Sequence, residues 1–367
     1  MSIRLGAAGP EAFAAGELRD FSGRIIAWQG RYGRHDLPWQ RTRDPYRVWL
    51  SEIMLQQTRV SAVVPYYDRF LRRFPTLQAL AAASEDEVLA YWSGLGYYAR
   101  GRNLHRGARI VLELHSGVFP RGVHEIRALP GVGRSTAGAV CVFAYGTRHP
   151  ILDGNVKRVL ARHFAIEGYP GEKSVENRLW HWAEALLPER NVEAYTQGLM
   201  DLGAQICVRR SPLCSACPVA DTCIARQEGA TERIPSPRPA RPLPQREATL
   251  LVLLSDGEVL LEKRPAPGIW GGLWCFPELG DAQPELLIER VGEAAGRPWL
   301  LRPVEHGFTH FRLRIHPLVA ELRRRDPKAE ESGRLWLSLE RAKAAAIPVP
   351  VRRILDALWW PEDCARP

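Results

Sequence analysis

The sequence predicts a mainly α protein, with an all-α N-terminal domain over residues 1–230 and a smaller α+β domain over 247–360. Three observations predict this class. From residue 18 to 230 apolar residues recur at three-to-four spacing, with Pro and Gly at the breaks and little strand character. Residues 231–246 then hold five prolines and four arginines, the composition of a solvated, semi-extended linker. Beyond the linker, apolar residues gather into short β-like runs between turn signals.

Taken in order, the helical period places helices at 18–31, 44–59, 63–73, 85–92, 98–115, 134–146, 155–164, 174–186 and 191–204, with a further short one near 122–128. Breaks fall where the chain cannot continue a helix, as at Phe74-Pro75-Thr76 and Leu129-Pro130-Gly131-Val132-Gly133. In the second domain Ala248–Leu254 is an apolar β-like run. Ser255-Asp256-Gly257 is a hairpin turn signal and Glu258–Arg264 the return strand. Phe311–Leu322 and Leu335–Leu339 add strands, and helices are expected near 283–295 and 350–359, a mixture that makes the domain α+β.

Composition narrows the partners. Apolar residues make up 46% and charged residues 25%, so each domain has the means to bury a core. Fifty Lys and Arg against 41 acids give a net charge of +9, which suits a polyanion such as nucleic acid or an anionic membrane surface. The sequence holds no apolar run long enough to span a bilayer. The first twenty residues carry only Arg4 and Arg19 as bases and no continuous apolar core, so they read as neither secretory signal nor transit peptide. Seven cysteines, four of them crowded into 207–223, do not form a disulfide framework and point to a reducing, cytoplasmic compartment.

Those four, Cys207-x6-Cys214-x2-Cys217-x5-Cys223, are close enough to converge on one soft ion or cluster. Their spacing leaves zinc and an iron–sulfur cluster level, since it has one short knuckle flanked by wider gaps. Leu129–Gly138 is a Gly-rich turn running into a helix. Gly131 and Gly133 allow close backbone approach, and the helix start offers free N–H groups to a phosphate. Glu52 lies among Val48, Trp49 and Leu55 on a helix, a setting that raises its pKa and favours the proton-donor form. Asp153 stands before the helix Val156–Phe164 as a turn or capping residue, with Asn155 well placed as the N-cap. A buried acid and an ionised one are what cleavage of a glycosidic bond requires.

Together these stretches resemble the MutY adenine DNA glycosylases, within the helix-hairpin-helix superfamily that includes endonuclease III. The resemblance covers about residues 20–340 and rests on LPWQ (37–40), WLSEIMLQQTRV (49–60), GLGYYARGRNLH (94–105), LPGVGRSTAGA (129–139), ILDGNVKRVL (151–160), YTQGLMDLGAQIC (195–207) and the cysteine quartet. It implies a helix-hairpin-helix glycosylase fold with the hairpin at 122–146 and an iron–sulfur loop at 207–223. A 4Fe–4S cluster would sit on Cys207, Cys214, Cys217 and Cys223, shaping a basic loop with Arg209 and Arg210. The implied reaction is excision of adenine mispaired with 8-oxoguanine, or with guanine, in double-stranded DNA, by base flipping and hydrolysis. Glu52 matches the general acid, Asp153 the acid that stabilises the sugar cation, and Asn155 its orienting neighbour. Trp39 and Gln197 are pocket candidates. Gln57 and Tyr97 match residues that wedge the duplex, while Gly131, Gly133 and Ser135 lie where the hairpin meets DNA.

Ser135 stands where endonuclease III-type enzymes carry a lysine that attacks the sugar; a serine forms no imine, so a monofunctional enzyme is expected. The second domain resembles the family's MutT-like domain. It lacks the acidic core of the Nudix box and is not expected to hydrolyse nucleotides. Its implied role is 8-oxoguanine recognition through Phe308, Thr309 and His310, where Thr309 replaces the usual serine. The family implies a monomer, nucleoid-associated in a bacterial cytoplasm. Two other readings compete: a bifunctional endonuclease III-like enzyme, and a non-catalytic DNA-binding protein with structural zinc.

Overall fold

The structure is a computed structural model that describes residues 9–239, 242–280, 283–325 and 333–358. Its helices are α1 (Ala15–Tyr32), α2 (Pro45–Leu55), α3 (Val60–Arg73), α4 (Leu77–Ala82), α5 (Glu85–Trp92), α6 (Ala99–Leu114), α7 (Val123–Ala128), α8 (Arg134–Tyr145), α9 (Gly154–His163), α10 (Lys173–Ala185), α11 (Val192–Asp201), α12 (Ile224–Gln227), α13 (Pro284–Val291), α14 (Leu339–Ala344) and α15 (Val349–Leu358). Strands β1 (Gln245–Ser255), β2 (Glu258–Lys263), β3 (Trp274–Cys275), β4 (Gly292–Ala294), β5 (Trp299–Leu300), β6 (Val304–Gly307), β7 (Arg312–Arg325) and β8 (Arg334–Ser338) follow the helical part.

The chain divides into two compact units: residues 1–71, 76–81 and 106–240, and residues 72–75, 82–105 and 241–367. The first is helical. Phe21, Ile25 and Trp28 of α1 pack with Val159 and Leu160 of α9, Trp182 of α10 and Leu199 of α11. Each fully buried side chain of this size contributes about 1.5–3 kcal/mol. Gly198 lets α11 lie on α1, because a Cβ there would come within 2.8 Å of the Ile25 side chain. Among the described residues no helix is long and apolar enough to cross a membrane.

The second unit is a mixed sheet with the path β3-β2-β1-β7-β4, on which β5 and β6 also pair with β7 and β8 pairs with β2. β1 and β7 run parallel over a long register, Leu250 opposite Pro317 and Val252 opposite Val319. Alternate residues of β1 enter opposite cores, Leu250 and Val252 on one face and Leu251 and Leu253 on the other. Covering both faces is why the run reads as continuously apolar rather than alternating. Leu89 of α5 belongs to the first of these cores, and Ser93 Oγ donates to the Ile347 carbonyl at 2.8 Å.

Several expected boundaries move, and at three helix C-termini the shift is three residues or more. α2 stops at Leu55 rather than running to 59, because Gln57 takes a left-handed φ of +56° and Thr58 N returns to the Leu55 carbonyl at 3.2 Å. The helix expected over 191–204 ends at Asp201 and passes into a wide π turn, Leu202–Ile206. The one expected to reach 295 ends before Gly292, where the chain joins β7 as β4.

Candidate active site and metal centre

Glu52 owes its place to α2. Asp44 caps that helix by accepting from Tyr46 N at 2.9 Å, and Pro45 begins it. Trp49, Leu50, Ile53 and Met54 are buried, which fixes the helix's rotation and aims Glu52 into a cavity of about 600 Å³. At the end of α2, Gln56 Nε2 donates to the Gly131 carbonyl and to Thr136 Oγ1, both at 3.3 Å, tying the helix to the Gly-rich hairpin. Gly131 is left-handed at φ +76°, and nothing lies within 4 Å of where a Cβ on Gly133 would be, so the start of α8 is open to an incoming group.

The chain before Asp153 is laid directly on α8. Ser135 Oγ accepts from Leu152 N at 3.0 Å, and a Cβ on Gly138 would meet the Pro150 carbonyl at 2.6 Å. Asp153, not Asn155, is the N-cap of α9: its Oδ1 accepts from Val156 N at 2.8 Å. The helix starts two residues earlier than an Asn155 cap would give, which puts Asn155 inside its first turn. There Asn155 Nδ2 donates to Asp153 Oδ2 at 3.3 Å.

The two acids share the cavity with Ser135, Asn155, Trp39 and Gln197. Burial, and then the negative charge of Asp153, push the Glu52 carboxyl up to about 8. Burial also raises Asp153, but the Val156 and Asn155 amides and the Arg158 charge oppose that rise. Asp153 is therefore the member whose neighbours favour the charged form, and Glu52, raised to about 8, the one that keeps a proton at neutral pH.

Gln197 is oriented by a group the sequence reading missed. Asp201 is fully buried, accepts from Gln197 Nε2 at 2.8 Å, and receives Arg34 through its backbone N at 2.8 Å and its Nε at 2.7 Å. Trp39 is buried edge-on to Tyr67. Gln57 is exposed and outside the cavity lining. Tyr97, Phe308, Thr309 and His310 belong to the second unit. Tyr97 is 46% exposed at φ +49°. Phe308 is half-buried, stacked on Phe311 at 4.4 Å, so Thr309 and His310 are the exposed members of their loop.

Cys207, Cys214, Cys217 and Cys223 surround one cavity walled by Val159, Leu202, Ile206 and Val219. A zinc ion needs its sulfurs gathered about 2.3 Å from one point. Among the described residues no three ligands are gathered for a single ion. A cubane places each thiolate on a separate iron, and four cysteines lining one apolar-walled cavity fit that group. Two further missed residues serve the loop. Arg162 is 2% exposed and donates to the carbonyls of Ile234 (2.9 Å), Val208 (2.7 Å) and Arg209 (2.9 Å), with Nη1 3.4 Å from Cys207 Sγ. Arg158 Nε donates to the Cys207 carbonyl at 2.7 Å. Their one-turn spacing inside the aliphatic face of α9 was the available signal.

The fold and the site together define an iron–sulfur DNA glycosylase of the helix-hairpin-helix class. Residues 50–185 match the HhH-GPD superfamily of base excision DNA repair proteins, 207–223 the iron–sulfur binding domain of endonuclease III, and 248–357 the NUDIX domain. A thermostable thymine-DNA glycosylase of known structure is 31% identical, with a TM-score of 0.53 over 59% of this chain and 100% of that one. The adenine DNA glycosylase of Buchnera aphidicola is 36% identical over 92% of this chain and 97% of its own, and that of Homo sapiens 34% over 92% and 74%. The chain belongs to the adenine DNA glycosylases, and its cofactor is a 4Fe–4S cluster.

Proposed function

We propose that this adenine DNA glycosylase removes adenine mispaired with 8-oxoguanine, or with guanine, from double-stranded DNA, as a monofunctional monomer in a bacterial cytoplasm, associated with the nucleoid. The observation that carries the reading is the pair in the cavity: Glu52 raised to about 8, and Asp153 accepting from Val156 N and Asn155 Nδ2.

The extruded adenine enters the cavity against Trp39 and Gln197. Glu52 gives its proton to N7, so the base leaves neutral as the glycosidic bond breaks. Asp153, held by the amides of Val156 and Asn155, stabilises the sugar cation. Water adds to that cation, and its proton returns to Glu52. The cluster, when bound, supplies structure rather than chemistry, shaping the loop with Arg209 and Arg210 for the DNA backbone. Gly131 and Gly133 offer phosphate the open start of α8. Ser135 is occupied with the Leu152 amide and has no amine for an imine. Gln57 and Tyr97 open the stack, and Thr309 and His310 read the 8-oxoguanine from a loop anchored by Phe308. The working modules are a catalytic domain to residue 230, a linker at 231–246 and a recognition domain at 247–360.

The test is adenine release from an 8-oxoguanine:adenine duplex, with alkali to cut the product. Wild type releases adenine, and Glu52→Gln does so far more slowly, by the margin expected for loss of a general acid. Borohydride traps no enzyme–DNA adduct. Excision of oxidised pyrimidines instead, or a trapped adduct, would overturn the reading.

A further inference from the structure

The exposed Tyr97 loop and the loop of Phe308–His310 lie in one compact unit, and the turn at 266–272 touches both their supports. Trp270 in that turn has a φ of +56°, a conformation that a bulky residue keeps only where its surroundings hold it. Its indole is 9% exposed and its centroid lies 5.9 Å from the His306 ring and 5.8 Å from the Phe308 ring, so it floors the loop presenting Thr309 and His310. The next residue, Gly271, accepts Arg102 Nη1 of α6 on its carbonyl. The turn is closed on itself there: a Cβ on Gly271 would meet the Pro265 carbonyl at 2.9 Å.

The first turn of α6 in turn holds the Tyr97 loop. Arg100 Nη2 donates to the Gly96 carbonyl at 3.1 Å, and its guanidinium lies 5.4 Å from the Tyr97 ring centroid. Trp92 Nε1 donates to the same carbonyl at 3.2 Å, and Lys263 pairs with Asp86 at 2.6 Å. The path from Phe308 through Trp270 and Gly271 to Arg102 thus runs through packed rings and a hydrogen bond, and the first turn of α6 carries it on to Arg100, Gly96 and Tyr97.

We propose that Trp270 and Arg102 make the 266–272 turn a strut that fixes the Tyr97 loop relative to Thr309 and His310, so that wedging the duplex and reading the base opposite adenine act as one rigid element. Both are positioning residues. The inference rests on the reading above, in which Tyr97 wedges and Thr309 and His310 contact 8-oxoguanine. It adds that neither action is selective without the strut.

The experiment is single-turnover adenine release by the full holoprotein from 8-oxoguanine:adenine and guanine:adenine duplexes, with melting and the cluster's visible absorbance as controls. Arg102→Met is expected to lower the preference for the 8-oxoguanine duplex roughly tenfold, the scale of coupling between contacting groups. Arg102→Lys, which keeps a donor, recovers most of it, and Trp270→Leu behaves like Arg102→Met. Thr309→Ala, which reduces the preference in the wild-type background, has little further effect beside Arg102→Met. If Arg102→Met and Trp270→Leu melt normally and keep the preference, or slow both duplexes equally, the strut is wrong while the reading stands. If Tyr97→Ala and Thr309→Ala both leave the wild-type preference intact, the reading fails and the strut with it.

Discussion

Arg158 and Asn155 are joined by a hydrogen bond of 2.9 Å from the guanidinium to the amide oxygen, and this fixes which way the amide faces. With its oxygen occupied, Asn155 turns its nitrogen to Asp153 Oδ2. The same guanidinium reaches the carbonyls of Gly203 at 2.6 Å and Cys207 at 2.7 Å, so the cap of α9 and the first cysteine of the cluster loop are held by one side chain.

The bond from Asn155 favours the charged form of Asp153, and its loss raises that pKa. Asn155→Ala should therefore move the acidic limb of the pH–rate profile to higher pH and lower kcat roughly tenfold, the cost of about one charge-assisted hydrogen bond. Arg158→Met should do the same while leaving two carbonyls without a donor, and melt lower than Asn155→Ala. A single-turnover pH profile for each variant measures both effects; an unmoved acidic limb in both refutes the orientation.

Glu52 sets the other limb. Its proton is the one to be donated, and burial holds it until pH about 8, so excision should fall as pH rises through that value. Glu52→Gln should cost 10²- to 10⁴-fold in rate, the usual range for a general acid, with DNA affinity retained. The folded pKa lies above the ordinary carboxyl value of 4.5. The folded state thus binds the proton more tightly, and stability is lost as pH rises from about 4.5 to about 8. Glu52→Gln removes that loss, so its melting temperature should exceed wild type by a margin that grows across this window and then levels. Melts at pH 4.5 and pH 8.5 suffice to measure it.

Much of this was legible in the sequence, and the parts that were not share a cause. Helical periodicity located α1–α3, α5, α6 and α8–α11 because each buries one stripe, but it passed over the six-residue α4, too short to show a period; the cysteine spacing announced a metal centre. The cap of α9 was misplaced by two residues because Asp153 and Asn155 are both good N-cap types, and only the backbone at Gly154 decides between them. The end of α2 was missed because Gln56 and Gln57 are good helix formers; the reversal is set by the contact of Gln56 with Gly131, distant in sequence. Buried Arg162 and Asp201 and half-buried Arg102 are polar side chains that pattern reading assigns to the surface. Their burial depends on partners brought by other elements, carbonyls for the two arginines and the Arg34 donors for Asp201, which no local window contains.

Arg162 should be the most sensitive residue of the cluster loop. Its guanidinium satisfies three carbonyls in a site with little water, and an abandoned buried acceptor costs about 1–3 kcal/mol each. It also faces Cys207 Sγ, part of an anionic cluster when loaded. Arg162→Leu is expected to yield protein with reduced iron content and a visible band that fades faster under chelator, and Arg162→Lys to rescue it incompletely, since one ammonium lacks the planar fork. Iron per chain and the rate of bleaching report this directly. Full iron content and wild-type bleaching in Arg162→Leu would leave the arginine no role in the centre.

Gly138→Ala separates helix propensity from close approach. On α8 alone the change should stabilise, by about 1 kcal/mol, because alanine is the better helix former. The added Cβ would sit 2.6 Å from the Pro150 carbonyl, backbone that has no rotamer with which to yield. The segment 150–153 must then lift from α8, stretching the bond from Leu152 N to Ser135 Oγ and carrying Asp153 away from Glu52. Overpacking of this kind costs about 1–3 kcal/mol, so the net effect should be a lower melting temperature. The rate should suffer more than the stability, because a displacement of about 1 Å at a reacting group can cost about 10²-fold. Melting and single-turnover excision on the same preparation distinguish the outcomes. A variant that melts higher and excises normally would mean that the Pro150–Asp153 segment is not held against α8 in solution.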